Sequence, residues 1–250
     1  MSENSKSYSD KTHSGKKFCT THWSVVLNAG RDDSSAEKAL DELCRTYWYP
    51  LYAFARRKGF SSTDAQDLTQ GFFARFIEKK YLNDVDRSKG RFRSFLLSSM
   101  THFLLNEIDK NKTQKRGGEY KLISFDAESA EKRYSFEPYH NQSADKLFER
   151  DWALILLDNV LKHLREEYVD GGKEFLFQQL KEVLTTGKTL RTYAAIATQL
   201  GMTEAAVKVA VHRLRTRYRE LIRAEIADTV SSPDEVDDEL KHLFAVLSNS

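Results

Sequence analysis

Two stretches of this chain carry charged side chains at helical spacing, and each spacing implies a different chemistry. In one, Glu204, Lys208, His212, Arg215 and Arg219 follow at steps of four, four, three and four, flanked by Arg213 and Arg217. Such steps put side chains on one face of a helix, and a row of cations there meets phosphate oxygens and base edges. Residues 188–223 hold eight Lys or Arg against two Glu, although the whole chain is nearly balanced at 39 basic and 37 acidic residues. In the other, Asp64 and Asp67 are three apart, a spacing that brings two carboxylates together and can hold magnesium for diphosphate chemistry. No second acidic motif and no basic cluster placed for a diphosphate accompany them, and acids in the first turns of a helix are favoured anyway. An enzyme is therefore not expected. Cys19 and His22 form a C-x-x-H pair with His13 nearby, but a closed zinc site needs four ligands and no second pair has the spacing. Neither a metal nor a cofactor is expected, and Gly117 and Gly118 alone do not make a phosphate loop.

The cationic row needs an element to hold it. Tyr193, Ile196, Ala197 and Leu200 line one helical face, Gly201 suits a sharp turn, and Thr203 suits the cap of a second helix. On that second helix Val207, Val211, Leu214, Tyr218 and Leu221 recur at four, three, four and three, an apolar seam opposite the basic face. Ala205 and Ala206 keep the first turn small enough to enter a groove. Turn, cap, seam and basic face in this order describe a helix-turn-helix with its recognition helix second. The competing account is a solvated amphipathic helix.

Upstream, residues 1–20 are rich in Ser and Lys and read as a disordered tail. Trp23, Val25, Val26 and Leu27 read as a short apolar helix. From Ser34, the set Ala36, Leu40, Leu43, Tyr47, Leu51 and Phe54 keeps helical spacing across Pro50, which is expected to kink or restart the helix, and Gly59 ends it. Ser61 or Ser62 caps the next helix, whose stripe is Ala65, Leu68, Phe72 and Phe76, with Asp67, Gln70, Ala74 and Glu78 as an opposite polar ridge. After a loop over 83–90, a helix follows in which Phe92, Phe95, Leu96, Met100, Phe103 and Leu104 are interleaved with Arg91, Arg93, His102 and Asn106. Aromatic and cationic neighbours of this kind suit a single-stranded nucleic acid; taken alone, the segment favours an ordinary core helix with snorkelling arginines.

Residues 111–146 lose periodicity and read as a tether. Helices are expected over 147–169, stopped by Gly171 and Gly172, and over 173–184. Residues 224–250 hold seven acids and one base, and after Pro233 form an acidic helix with Val236, Leu240, Leu243, Phe244 and Leu247 inward. The whole is an all-α chain divided into a tail (1–20), a helical module (21–110), a tether (111–146), a helix-turn-helix module (147–227) and an acidic C-terminal helix (228–250). Two cysteines point to a reducing compartment, and neither a membrane-length apolar run nor a signal-peptide centre is present, so a cytoplasmic protein is expected.

Two of these motifs resemble those of the extracytoplasmic-function (ECF) sigma factors of bacterial RNA polymerase, in the branch with N- and C-terminal extensions. DAQDLTQGFFARF (64–76) is similar to the family's D-A-E-D-L-x-Q-x-x-F-x-R motif, with GRFRSFLLSSMTHFLLNEI resembling the F-R-x-W-L helix after it. YAAIATQLGMTEAAVKVAVHRLR resembles the family's upstream-element helix-turn-helix. The resemblance implies that Asp64, Asp67, Leu68, Gln70 and Arg75 dock on the beta-prime clamp of core RNA polymerase. Strand opening would fall on Ser88, Lys89, Arg91, Phe92, Arg93 and Phe95, with His102 and Asn106 where the family often has Asn and Asp. Upstream duplex reading would fall on Thr203, Glu204, Ala205, Lys208, His212, Arg213 and Arg215, next to the beta flap. An anti-sigma protein is a further partner the resemblance allows. Phe95 in place of the usual Trp, and Val209 and Ala210 in place of Ser-Arg, leave the promoter preferences open. The alternative is a helix-turn-helix regulator that does not bind core polymerase, which leaves the DAQDLTQ ridge and the Arg-Phe helix without a role.

Overall fold

The computed structural model describes residues 34–78, 90–113, 127–136, 142–185 and 192–248. These residues are helical, with no strand among them. In chain order the helices are α1 (Ser34–Arg57), α2 (Ser62–Glu78), α3 (Phe92–Thr113), α4 (Ala127–Phe136) and α5 (Ala144–Asp170). Then come α6 (Glu174–Leu180), α7 (Glu182–Thr185), α8 (Tyr193–Leu200) and α9 (Glu204–Ala227); a 3-10 turn (Pro233–Glu235) leads into α10 (Val236–Ser248). The expected tail, the Trp23 to Leu27 segment and the loop bearing Ser88 and Lys89 lie outside the described residues.

α1 is the hub, and Pro50 does not break it. A proline inside a helix costs about 3 kcal/mol. Around this one Tyr47, Leu51, Tyr52 and Phe54 are almost wholly buried, each worth about 1.5–3 kcal/mol for a large apolar side chain. Gly59, at φ 96°, closes the helix by donating its N–H to the Arg56 carbonyl at 3.0 Å. Ser61 then caps α2, its Oγ accepting the Asp64 N–H at 3.1 Å. Three neighbours pack on α1 through aromatic rings: α2 by Trp48 stacked on Phe73 (6.2 Å), α3 by Phe92 edge-on to Tyr47 (5.8 Å), and α5 by Phe148 against Tyr47 and Phe54 (6.4 and 6.3 Å).

α5 therefore has two partners. Its sequence position groups it with the helix-turn-helix, and α9 does pack on it; yet it also lies along α1, with Asp151 buried in an ion pair with Arg57 at 2.8 Å. The stretch expected to be an irregular tether contains α4, which returns to α1: Glu131 pairs with Arg56 at 3.0 Å and accepts from the Tyr52 hydroxyl, and Arg133 lies over the Tyr49 ring at 3.8 Å. A ten-residue helix is marginal alone, so these distant partners stabilise it. The helix expected over 173–184 is interrupted at Lys181 into α6 and α7.

α10 crosses α5 and α9. Val236 and Leu243 are buried and Leu240 and Leu247 half-buried, as expected, but Phe244 faces outward and Glu239 is inside at 0% exposure. On a helix Glu239 and Phe244 flank the same apolar stripe on opposite sides. What lies opposite α10 decides which of the two is enclosed.

Candidate nucleic-acid and polymerase surfaces

The helix-turn-helix is built by short-range signals. Thr192 caps α8, its Oγ1 accepting the Ala195 N–H at 3.2 Å, and Thr203 caps α9 the same way from Ala206 at 3.2 Å. Gly201 turns the chain between them at φ 61°, in the left-handed region that favours glycine. Ile196, Ala197, Val207, Val211 and Leu214 are buried. Thr203, Glu204, Ala205, Lys208, His212 and Arg213 are exposed, as expected, and Arg215 is half-buried.

Lys208 pairs with Glu204 one turn earlier at 2.8 Å, and that hydrogen bond holds its ammonium above the usual lysine range. Arg217, which flanks the basic face, is instead structural. It reaches Glu167 of α5 at 2.6 Å and Glu220 at 3.0 Å, fixing α9 on its support. The Arg217 hydrogen bond in turn keeps the Glu167 carboxyl below its ordinary range.

The proposed docking residues divide. Asp64 and Asp67 are exposed on α2, Leu68 and Arg75 are half-buried, and Gln70 is buried at 7% exposure. Gln70 therefore does not belong to an exposed ridge. α2 is covered on more than one side, with Phe73 against Trp48 of α1 and Phe72 edge-on to Phe103 of α3 at 5.8 Å, and Thr69 and Gly71 beside Gln70 are buried too. Asp64 is also part of the helix cap, its Oδ2 accepting from the Ser61 hydroxyl at 2.7 Å.

The α3 residues separate further. His102 and Asn106 are exposed and share a pocket of about 170 Å³ with Arg75, over a floor of Phe72, Phe76 and Phe103. Residues assigned to docking and to opening thus meet in one place. Phe95 keeps an exposed edge, with Phe92 and Phe76 on either side at 6.2 and 6.3 Å. Phe92 itself is buried against Tyr47, so it supports the core and is not free to stack on a base.

Arg93 departs most from the sequence expectation. It is 2% exposed, its guanidinium lies over the Trp152 ring at 3.7 Å, Nε donates to Glu149 at 2.7 Å, and Nη1 meets Glu239. Burial works against its charge, but the fields of Glu149 and Glu239 outweigh that and hold Arg93 above the usual arginine range. Arg91 remains partly exposed and pairs with the same Glu239 at 2.6 Å. In this arrangement Arg93 does not present its charge to a ligand; it sits in a cage of two carboxylates and an indole. The acidity of the C-terminal segment is a sequence signal, but nothing local says where its carboxylates go.

Among the described residues no helix is long and apolar enough to cross a membrane, and no group of three or more His, Cys, Asp or Glu could hold a metal ion. The family model described as ECF sigma factor matches residues 26–224, a span that contains both motif regions and all the proposed site residues. No curated protein and no solved structure matches the chain.

Proposed function

Because the chain belongs to the ECF sigma factor family, and so to a family of transcription initiation factors, we propose that it binds core RNA polymerase through α2 and directs promoter recognition through α9 and opening through α3. The observation that carries this is the pairing, in family order, of two accessible charged surfaces. One is the acidic start of α2 at Asp64 and Asp67; the other is the basic face of α9 at Lys208, His212 and Arg213, with its seam buried. A small apolar-backed helix with exposed cations near its N-terminus fits the major groove. On α3, the exposed edge of Phe95 and the pocket shared by Arg75, His102 and Asn106 suit an unstacked base. The beta-prime clamp as the docking partner of α2, and the beta flap beside the helix-turn-helix, follow from the family pattern.

A helix-turn-helix regulator that never meets core polymerase uses α9 but gives no role to the DAQDLTQ motif of α2, which lies within the span matched by the family model. The test is co-purification with core RNA polymerase. Asp67→Ala is expected to lose association while melting like the parent chain, since Asp67 is exposed. Undiminished co-purification would remove the docking assignment.

A further inference from the structure

The acidic C-terminal helix lies beyond the matched span, yet its charged side chains reach three different helices. Asp237 pairs with Arg223 of α9 at 2.8 Å, Glu239 with Arg93 of α3 and with Arg91 just before it, and His242 lies 3.1 Å from the Glu149 carboxylate of α5. Glu239 is completely enclosed, with one oxygen against Arg91 and the other against Arg93. The cost of taking a carboxylate and guanidinium out of water offsets much of their attraction, so such a contact holds α10 less firmly than its short distances imply. The groups that Glu239 occupies, a guanidinium pair at the start of an aromatic-rich helix, are also those a phosphate oxygen would seek. A carboxylate is the protein's own anion for such a site.

We propose that α10 is an internal occupant of the single-strand surface of α3, so that nucleic-acid phosphate and Glu239 bind Arg91 and Arg93 in alternation. The inference rests on reading those arginines as strand-facing. In the closed state Arg93 is sequestered and Arg91 partly neutralised; displacing α10 frees Arg91, uncovers the Nη1 side of Arg93 while Glu149 and Trp152 of α5 still hold the rest of its guanidinium, and releases the Asp237 tie to α9. α10 is suited to release because it is short and half-exposed, with only Val236, Glu239 and Leu243 buried along its length.

The test uses the full chain and a fluorescein-labelled single-stranded DNA oligonucleotide of mixed sequence. Glu239→Gln keeps the shape and removes the anion. If the open state is about a tenth of the wild-type population, the variant is expected to bind about tenfold tighter, with faster amide hydrogen exchange over 236–248 before any DNA is added. A second measurement needs no variant: saturating wild type with the oligonucleotide is expected to accelerate exchange over 236–248. If the α10 amides loosen in Glu239→Gln without any gain in affinity, the strand-facing reading of the arginines fails and the proposal falls with it. If Arg91→Ala weakens binding but α10 stays protected under bound oligonucleotide, the reading survives and the competition is overturned.

Discussion

The basic face of α9 and the arginines at the start of α3 have the same composition and opposite fates. Both are cations interleaved with an apolar stripe. On α9 the seam rests on α5 and α8, so Lys208, His212 and Arg213 point to solvent. On α3 the apolar stripe is taken by α1 and α2, while Arg93 is covered by Glu149 of α5 and Glu239 of α10. Helical periodicity predicts exposure when a helix has neighbours on one side. It does not when a distant segment supplies a partner for the polar side. The two regions should therefore respond in opposite ways to the same kind of substitution.

The largest contrast is in stability. Arg93→Ala removes the buried cation shared by Glu149 and Glu239, leaving Glu239 with the partly exposed Arg91 alone, and is expected to cost about 3 kcal/mol, whereas Arg213→Ala, an exposed cation, should stay within about 0.5 kcal/mol. Equilibrium denaturant unfolding of both variants checks this, and equal costs would erase the distinction between the regions. Leu214→Ala removes a side chain at 0% exposure beneath the basic face and is expected to cost about 2–5 kcal/mol. That measurement shows whether α9 is oriented as described. Thr203→Ala removes the α9 cap and should cost about 1 kcal/mol, read as a lower melting temperature and faster exchange of the Ala206 amide. The smallest effects concern DNA alone. Arg215→Ala is expected to lower the salt slope of promoter binding by about 0.9 with little change in sequence preference. Lys208→Ala should relax preference at one base pair. Reversal of those two results would move base reading from the first turn of α9 to its middle.

The helix-turn-helix was legible because every signal for it is local: Gly201, the Thr203 cap and the four-three seam lie within a few residues of what they control. The hub helix was legible too, apart from the effect of Pro50, because burial of its aromatic residues offsets the missing backbone donor. What escaped depends on remote partners. α4 forms where irregularity was expected because Glu131 meets Arg56 and Tyr52 some seventy-five residues away. Gln70 is polar and lies on what a single-sided helix would expose, but α2 has neighbours on two sides. In α10, residue type favours Phe244 as the inward residue and the helical angle permits Glu239 equally; the arginines of α3 select Glu239.

Transcription in vitro is decisive, with core RNA polymerase, the full chain and fragmented genomic DNA as template. Transcripts are expected to begin at discrete sites only when the chain is present, and to be lost on Asp67→Ala. A chain that retains duplex binding through α9, yet neither joins core polymerase nor starts any new transcript, would contradict a sigma-factor role.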